Sequence, residues 1–352
     1  MASFEQTLKT DRQAINDDIA QYVNHLKTTT NKKYGSGSEL ALEAYCDVLG
    51  RGGKRLRGSL VIEAYKMCGG TNQAMILQAA RAIEMVHAYL LVIDDIQDRS
   101  VLRRGGPAAH TKLAKTTKNE HLGETLATNG ALLGNHAAMM ILANLEVSPE
   151  LRSNVLSILN RTLVVTAHGQ IADAINQTSK NVTEADVRLV QEWKTAAYSI
   201  LNPLHVGMVL AGADCHATDD ITPYAMALGQ AFQITDDIIG TFGSVTETGK
   251  EPMDDIREGK RTLLIVYALK HASSAEKQFL LKCLGNNQLT NKDFERCQEI
   301  IKNTGALEYA RRQAKKYVDQ AKESLNSSQK HWSNAGHEFL DGLASYLIIR
   351  VN

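Results

Sequence analysis

Two clusters of acidic residues stand at the ends of apolar, helix-compatible stretches of this 352-residue sequence. The first reads Asp94-Asp95-Ile96-Gln97-Asp98, and the second reads Asp236-Asp237-Ile238-Ile239-Gly240. In a helix, residues four apart such as Asp94 and Asp98 share one face. Two unit charges about 4 Å apart near a protein surface repel by roughly 4 kcal/mol, so such a cluster favours a cation between the carboxylates. Since all the ligands would be oxygens, we expect Mg²⁺.

Basic residues accompany both clusters and could bind a phosphate group. The first cluster is followed by Arg103-Arg104-Gly105-Gly106-Pro107, and the second by Lys250, Arg257, Lys260 and Arg261. Upstream, Arg51-Gly52-Gly53-Lys54-Arg55-Leu56-Arg57-Gly58 puts four cations into a glycine-interrupted turn. Glycines let backbone N–H groups approach an anion, and arginine forks match phosphate oxygens. Any one of these stretches alone is more typical of a solvated loop, but three of them beside two acidic clusters predict a diphosphate site.

Helices must position these residues, because the composition disfavours sheets. A chain of 352 residues could form two domains, but five prolines, few aromatic residues and no alternating β-branched stretches indicate one all-α domain over 1–352. An N-terminal helix over 1–34 is expected to pack on it. Ser148-Pro149 predicts the start of one helix, and Thr183 with Asp186 predicts the capping box of another. The polar, lysine-rich stretch 112–120 predicts a mobile loop beside the first cluster.

Charge balance and cysteine content limit the class of protein. Lys and Arg together number 39, as do Asp and Glu, so the formal net charge of zero gives no support for bulk binding to nucleic acid or anionic membranes. No apolar stretch approaches the roughly 20 residues of a membrane span, and the N-terminus has no signal-peptide core. The five scattered cysteines lack metal-ligand spacing, so we expect reduced thiols in a cytoplasmic protein.

In their order along the chain, these motifs resemble those of the trans-isoprenyl diphosphate synthases, or polyprenyl synthetases. The similar stretches are residues 52–57, residues 94–98 with Arg103-Arg104-Gly105, Gly169-Gln170-x-x-Asp173, Lys194-Thr195, residues 232–237, Gly249-Lys250 and residues 255–262. The resemblance implies a single-domain bundle of about a dozen helices around a deep cavity, usually as a homodimer. It also implies head-to-tail joining of isopentenyl diphosphate to an allylic diphosphate with Mg²⁺, expected as three ions per site.

The resemblance further implies roles for individual residues. Ligands of Mg²⁺, or groups that orient metal-bound water, are expected at Asp94, Asp95, Asp98, Asp173, Asp236 and Asp237. The allylic diphosphate is expected to bind Arg103, Lys194 and Lys260, and the isopentenyl partner Lys54, Arg57, His87 and Arg104. Lys250 and Gln233 are also expected to bind substrate. The expected catalytic groups are Lys194, Thr195 and Gln233, whose oxygens could face the allylic cation, while the released diphosphate is expected to remove the final proton.

Tyr89 and Leu90 are the expected determinants of product length. Tyr89 precedes Asp94 by five residues, which is about 7.5 Å along a helix. In the family, bulk at this position limits chain growth, and the first cluster lacks the two-residue insertion of typical bacterial farnesyl synthases. We therefore expect geranylgeranyl diphosphate, with farnesyl diphosphate as the alternative. Without the resemblance, His87 and Tyr89 would be interpreted as ordinary core residues.

Two departures from the family pattern keep other functions open. Gly240 stands where the second acidic motif usually ends in Asp, and Asn129-Gly130 stand where a Gly-Asp pair is frequent. One alternative is a non-catalytic, prenyl-synthase-like subunit that regulates an active partner, although the retained acids and cations argue against it. A terpene cyclase would need no isopentenyl site and would carry an Asn/Ser/Glu metal triad. A calcium-binding protein would need spaced loop ligands and a turn glycine, which the acidic clusters lack.

Overall fold

The computed structural model describes residues 3–243, 252–328 and 332–349, and helices dominate these residues. The first half contains α1 (Phe4–Tyr34), α2 (Ser36–Gly50), α3 (Leu56–Met67), α4 (Gln73–Gln97), α5 (Ala109–Thr117), α6 (Glu120–Ala143) and α7 (Pro149–Thr178). The second half contains α8 (Glu184–Val190), a π-helix (Gln191–Leu201), α9 (Asn202–Leu210), α10 (Cys215–Phe242), α11 (Asp254–Arg257), α12 (Leu263–His271), α13 (Ser274–Cys283), α14 (Asn291–Asn303), α15 (Ala306–Ser327) and α16 (Asn334–Ile349). The prediction of an all-α fold is confirmed.

A short antiparallel hairpin interrupts the helices between α4 and α5. Its strands are β1 (Leu102–Arg103) and β2 (Gly106–Pro107), with Leu102 opposite Pro107 and Arg103 opposite Gly106. Arg104 and Gly105 form its turn with positive φ angles of 52° and 72°. Such a pair of left-handed residues is what a two-residue hairpin turn requires.

The chain divides into two compact units. The first unit comprises residues 1–158 and 203–213, and the second comprises residues 159–202 and 214–352. Each unit therefore carries one acidic cluster: Asp94 to Asp98 in the first, Asp236 to Gly240 in the second. A single catalytic domain over 1–352 remains a prediction.

The core of the first unit is built around α4. Its side chains Ile83, Met85, Val86 and Val92 are fully buried, and the helix packs on α3 and α6. Among the described helices, α4 is also the one whose length and hydropathy would suit a membrane span, which we did not expect of any stretch. However, 56% of its most apolar window is buried inside the protein. A core helix has the same composition because it also avoids water.

Residues 109–117 form α5, so the prediction of a mobile loop over 112–120 is wrong for most of that stretch. Leu113 is buried inside the first unit. Lys112 Nζ lies 2.9 Å from Asp47 Oδ2 on α2. Only two side chains of this helix, those of Ala109 and Leu113, are buried. Two apolar positions are too few to show a helical period, which is why the sequence pattern favoured a loop.

Two predicted helix starts are confirmed. The helix α7 begins at Pro149, and Leu151 N donates to Ser148 Oγ. At the start of α8, Thr183 and Asp186 exchange the reciprocal hydrogen bonds of a capping box. The helix α8 continues directly into the π-helix, which packs against α10 in the second unit. A π-helical stretch is rare and often marks a functional site.

Candidate active site

In the first unit, a basic turn joins α2 to α3. Gly52 and Gly53 have φ angles of 82° and 113°, which a residue with a Cβ rarely adopts. The buried Arg55 holds the turn, since its Nη1 lies 3.3 Å from Glu84 Oε2 while Glu84 Oε1 accepts from Gly58 N at 2.9 Å. Arg55 is therefore structural, and the turn presents the exposed Lys54.

Arg57 and His87 form a hydrogen-bonded pair beside this turn. Arg57 Nη1 lies 3.1 Å from His87 Nε2. Because a guanidinium can only donate, Nε2 must accept, which assigns the neutral tautomer protonated on Nδ1. Burial and the positive charges of Arg57 and Arg104 lower the pKa of His87 well below its ordinary value. His87 is therefore a neutral residue that orients Arg57.

The hairpin presents Arg103 to the first acidic cluster. Arg103 Nε donates to both carboxylate oxygens of Asp95, at 2.8 and 3.0 Å, and its Nη2 lies 3.5 Å from Asp94 Oδ2. Asp95 is completely buried. Charge-assisted bonds of this kind fix both partners. The carboxylate of Asp95 therefore orients Arg103, whereas Asp94 and Asp98 are partly exposed at the end of α4.

Arg104, the next residue, lies against the basic turn. Its Nη2 is 3.2 Å from the place that a Cβ on Gly53 would occupy. Burial and the guanidinium groups of Arg55, Arg103 and Arg57 together lower the pKa of Arg104 to about 10, although the carboxylate of Glu84 opposes them. Several cations are thus crowded together in the first unit. A crowd of buried cations is stabilised by an anion, and a diphosphate supplies one.

In the second unit, Lys194 is paired with Asp173. Lys194 Nζ lies 2.7 Å from Asp173 Oδ2. Gly169, one turn before Asp173 on α7, permits this pairing, because a Cβ there would lie 2.5 Å from Lys194 N. Gly169 therefore allows α7 to approach the backbone of the π-helix closely. Of the predicted stretch Gly169-Gln170-x-x-Asp173, the glycine provides the contact and the aspartate holds the lysine.

A chain of hydrogen bonds runs through the other predicted residues of the second unit. Thr195 Oγ1 donates to Gln233 Oε1 at 2.5 Å, and Gln233 Nε2 donates to Asp237 Oδ1 at 2.7 Å. The second bond assigns the orientation of the amide, since only its nitrogen can donate to a carboxylate. Gly229, one turn before Gln233, again allows the approach, because a Cβ there would lie 2.4 Å from Ala196 Cα.

Asp255 lies close to the second acidic cluster. Burial and the charges of Asp255 and Asp236 together raise the pKa of Asp237 to about 8, although the hydrogen bond from Gln233 and the charge of Lys260 oppose them. A Cβ on Gly240 would lie 2.8 Å from Asp255 Oδ2. Like charges held this closely favour a bound cation.

The chemistry of both acidic clusters fits Mg²⁺. All their potential donors are carboxylate oxygens, which this ion prefers. Within the residues that the structure describes, no three His, Cys, Asp or Glu side chains converge into a complete metal site. Mg²⁺ is commonly bound by one or two carboxylates and completes its shell with water and substrate phosphates.

The remaining predicted residues are placed as follows. Lys260 Nζ lies 3.0 Å from Glu258 Oε2. Tyr89 and Leu90 are partly buried on α4, between His87 and Asp94. Lys250 lies outside the described residues.

Three residues that shape the site, Asp255, Arg51 and Glu84, were not predicted as site residues. Asp255 entered only as part of the similar stretch 255–262, and Arg51 as one cation among four. Glu84 was not considered, although its carboxylate holds the basic turn. The position of Asp255 inside the similar stretch 255–262 was a usable signal. No local pattern reveals Glu84, because its partners lie 26 and 29 residues away.

Comparison with known proteins identifies the family. A sequence model of the Polyprenyl synthetase family matches residues 38–301. Geranylgeranyl diphosphate synthase of Saccharolobus solfataricus is 34% identical over 319 residues, which cover 88% of this chain and 91% of the relative. Geranylfarnesyl diphosphate synthase of Aeropyrum pernix is 32% identical, with 85% and 91% covered. Geranylgeranyl pyrophosphate synthase of Corynebacterium glutamicum, crystallised with isoprenyl diphosphate and magnesium, has a TM-score of 0.91 at 26% identity over 97% of this chain and 99% of the other. The predicted membership is confirmed: this chain belongs to the polyprenyl synthetase family.

Proposed function

We propose that this chain is a Mg²⁺-dependent prenyltransferase that joins isopentenyl diphosphate to an allylic diphosphate and releases a short-chain product. The observation that carries this proposal is the crowd of cations in the first unit, where Arg57, Arg104 and the neutral His87 meet. Their arrangement suits the diphosphate of isopentenyl diphosphate, with Lys54 as a further cation. Named relatives of similar length act as prenyl diphosphate synthases, which supports the same conclusion.

The first unit supplies a second group of residues for the allylic diphosphate. Arg103, oriented by Asp95, would bind this diphosphate, and Asp94 with Asp98 would hold Mg²⁺. Asp95 would act on the substrate through Arg103. When bound, Mg²⁺ would neutralise the charge that develops on the departing diphosphate. We propose that three Mg²⁺ ions bind per site.

The roles proposed for residues of the second unit follow from the family resemblance. Lys194 and Lys260 would bind the allylic diphosphate, and Asp236 would be the Mg²⁺ ligand, with Asp237 and Asp173 holding Gln233 and Lys194. As the allylic C–O bond breaks, Gln233 Oε1 can face the allylic cation with the lone pair that Thr195 does not use. The double bond of isopentenyl diphosphate then attacks, and the released diphosphate takes the proton. Lys250 belongs to the proposed substrate-binding set from the family resemblance alone.

We propose geranylgeranyl diphosphate as the product and farnesyl diphosphate as the alternative. Tyr89 is partly buried on α4, so its ring can close the space beyond Asp94 to a growing chain. The relatives support a short-chain product, since their names include geranylgeranyl and geranylfarnesyl diphosphate synthases.

Product analysis tests this function directly. The purified chain would be incubated with Mg²⁺, labelled isopentenyl diphosphate and, separately, dimethylallyl, geranyl or farnesyl diphosphate. A C20 product is the expected result. A C15 or a longer product would retain the enzyme and correct the product length. Absence of elongation with every starter, in a sample that binds diphosphate, would contradict the proposal and favour the regulatory subunit.

The proposal includes a homodimer, which an exposed apolar stripe on α6 supports. Leu122, Leu133 and Met140 are 42%, 44% and 66% exposed. Their spacings of 11 and 7 residues place them on one face of the helix. Exposed large apolar side chains in a row are typical of an interface. Sedimentation velocity should show a dimer for the wild type and a monomer for Leu133→Glu, whereas a monomeric wild type would refute this assembly.

A cytoplasmic location is also part of the proposal. The side chains of Cys46, Cys68, Cys283 and Cys297 are free thiols, which suits a reducing compartment.

A further inference from the structure

Arg51 lies at the junction of the basic turn and the hairpin in the first unit. The residue follows the last residue of α2, and its side chain is 15% exposed. Its Nη1 donates to Arg103 O at 2.9 Å and to Pro107 O at 2.8 Å. These two carbonyls belong to opposite strands of the hairpin. One guanidinium nitrogen therefore ties both strands to the end of α2.

Asp47 fixes the other edge of the same guanidinium. Arg51 Nη2 lies 2.7 Å from Asp47 Oδ2, and Nε lies 3.3 Å from Oδ1. Asp47 sits one turn earlier on α2 and also accepts from Lys112 of α5 at 2.9 Å. A forked arginine-carboxylate pair fixes the guanidinium plane as well as its position. Arg51 is thus held rigidly from one side while it holds the hairpin from the other.

The hairpin leaves space for this contact. A Cβ on Gly106 would lie 2.7 Å from Arg51 Nη1, so glycine at this strand position lets the guanidinium reach the carbonyls. The hairpin then carries Arg104 back to the basic turn, where its guanidinium lies against Gly53. The position of Arg104 relative to Lys54 therefore depends on how the hairpin docks on α2.

Arg103 depends on this docking much less. Its guanidinium is held by the buried Asp95 through two bonds of 2.8 and 3.0 Å, and a further contact of 3.5 Å reaches Asp94. For Arg104, by contrast, the one hydrogen bond that the structure assigns to its guanidinium is from Nη1 to Val48 O at 3.3 Å. A loosened hairpin should therefore displace Arg104 more than Arg103.

We propose that Arg51 is a positioning residue for isopentenyl diphosphate, because it docks the hairpin on α2 and thereby places Arg104 in the basic turn. This inference rests on the proposed function, in which Arg104 binds isopentenyl diphosphate and Arg103 binds the allylic diphosphate. Arg51 itself donates all its assigned hydrogen bonds to protein groups. It acts on the substrate through Arg104.

The test compares both Michaelis constants in Arg51→Gln and the wild type. We expect the KM for isopentenyl diphosphate to rise about 10-fold to 100-fold, since a displacement of about 1 Å in a binding group has effects of this size. The KM for the allylic diphosphate should change less than about twofold. Arg51→Lys should not restore the wild-type value, because an ammonium cannot bond two carbonyls and fork a carboxylate at once.

Arg81→Gln is the matched control. Arg81 pairs with Asp18 at the same distance of 2.7 Å in the same unit and is similarly buried, at 12% exposed. This variant should lower the thermal stability comparably and leave both KM values unchanged. Equal increases of both KM values in Arg51→Gln and Arg81→Gln would overturn the inference, since they would indicate general loosening. A wild-type KM for isopentenyl diphosphate in Arg51→Lys or in folded Arg51→Gln would also overturn it.

Asp47→Asn tests the inference if Arg51→Gln does not fold. This variant keeps the shape of the side chain and weakens the anchor of Arg51, so it should raise the KM for isopentenyl diphosphate in the same direction. An unchanged KM in folded Asp47→Asn would refute the positioning role. The proposed function fails separately, and this inference with it, if the wild type measured in parallel neither elongates an allylic diphosphate nor binds isopentenyl diphosphate.

Discussion

At the residue scale, Asp255 occupies the space that the second acidic motif leaves at Gly240. Its Oδ2 lies 2.8 Å from the place of a Cβ on Gly240. After burial, the charge of Asp255 is also the largest cause of the raised pKa of Asp237. The carboxylate of Asp255 is therefore close to both Gly240 and Asp237. Asp255 thus places a further negative charge beside the second acidic motif.

Gly240→Asp should therefore weaken the enzyme. The new carboxylate would meet Asp255 and add a like charge, so we expect kcat/KM to fall at least about tenfold, corresponding to about 1.4 kcal/mol. The Mg²⁺ concentration for half-maximal activity should rise as well. Steady-state kinetics across a Mg²⁺ titration measures both effects.

Gly240→Ala is the matched control, because it adds the Cβ without the charge. Its effect should stay within about threefold, since a short side chain such as Asp255 can move by a few tenths of an ångström. Adding Asp255→Gly to Gly240→Asp should recover part of the loss. Higher activity in Gly240→Asp than in the wild type would refute the expected repulsion between the new carboxylate and Asp255.

Tyr89→Ala should lengthen the product. Removing the ring of a partly buried residue on α4 opens space along the path of a chain growing away from Asp94. We expect products beyond C20, measured by mass spectrometry after hydrolysis to the alcohols. Leu90→Ala removes an aliphatic side chain at the next position and should shift the distribution less, because it opens a smaller volume. An unchanged distribution in Tyr89→Ala would remove this residue as the limit of chain growth.

Among the secondary-structure elements, neither the π-helix nor the glycines that pack against it could be predicted from the sequence. Lys194 and Thr195 lie on the π-helix Gln191–Leu201, and helices of this type are too rare to be expected from a sequence. The close approach of α10 at Gly229 and of α7 at Gly169 joins segments far apart in the chain. Helix starts such as those at Pro149 and Glu184 could be predicted because capping is local.

Gly229→Ala should impair catalysis by separating α10 from the π-helix. Its Cβ would lie 2.4 Å from Ala196 Cα and Cβ, so one backbone must move and the Thr195–Gln233 hydrogen bond should lengthen. We expect kcat to fall at least about tenfold and stability to fall by about 1–3 kcal/mol.

Gly37→Ala is the control, since this α2 glycine has nothing within 4 Å of its Cβ position. It should leave kcat unchanged and stability equal or slightly higher, because alanine favours helix more than glycine does. Measurements of kcat and of thermal unfolding for Gly229→Ala and Gly37→Ala test both expectations. Wild-type kcat in folded Gly229→Ala would show that the close approach does not govern catalysis.

Across the whole molecule, the sequence reveals the acidic and basic motifs but not the contacts that hold them in place. The acidic and basic motifs could be found because their members are close in the chain. The polar partners of these motifs could not, because Arg55 with Glu84 and Arg51 with Pro107 are pairs separated by 29 and 56 residues. Hydrogen bonds between distant residues leave no periodic signal. The polar partners of the motifs could therefore be identified only from the folded structure.

A buried carboxylate of α1 should contribute to the pH dependence of stability. Asp11 of α1 is 4% exposed and packs near Glu63 and Lys66 of α3. Burial, and next the charge of Glu63, raise the pKa of Asp11 to about 7, although Lys66 opposes them. The folded state therefore holds the proton more tightly than the unfolded chain, whose Asp pKa is about 3.9. The stabilisation is complete below that value and is lost as the pH rises towards 7.

Asp11→Asn should remove this dependence, because the amide stays neutral at every pH. Relative to the wild type, the unfolding free energy of the variant should gain about 1–3 kcal/mol between pH 5 and pH 8. Urea midpoints measured across this range test the expectation. Asp17→Asn is the control, since Asp17 makes the same change of charge on an exposed face of the same helix. Parallel curves for Asp11→Asn and the wild type would show that Asp11 does not take up a proton on folding, because a group with equal pKa values in both states adds no slope.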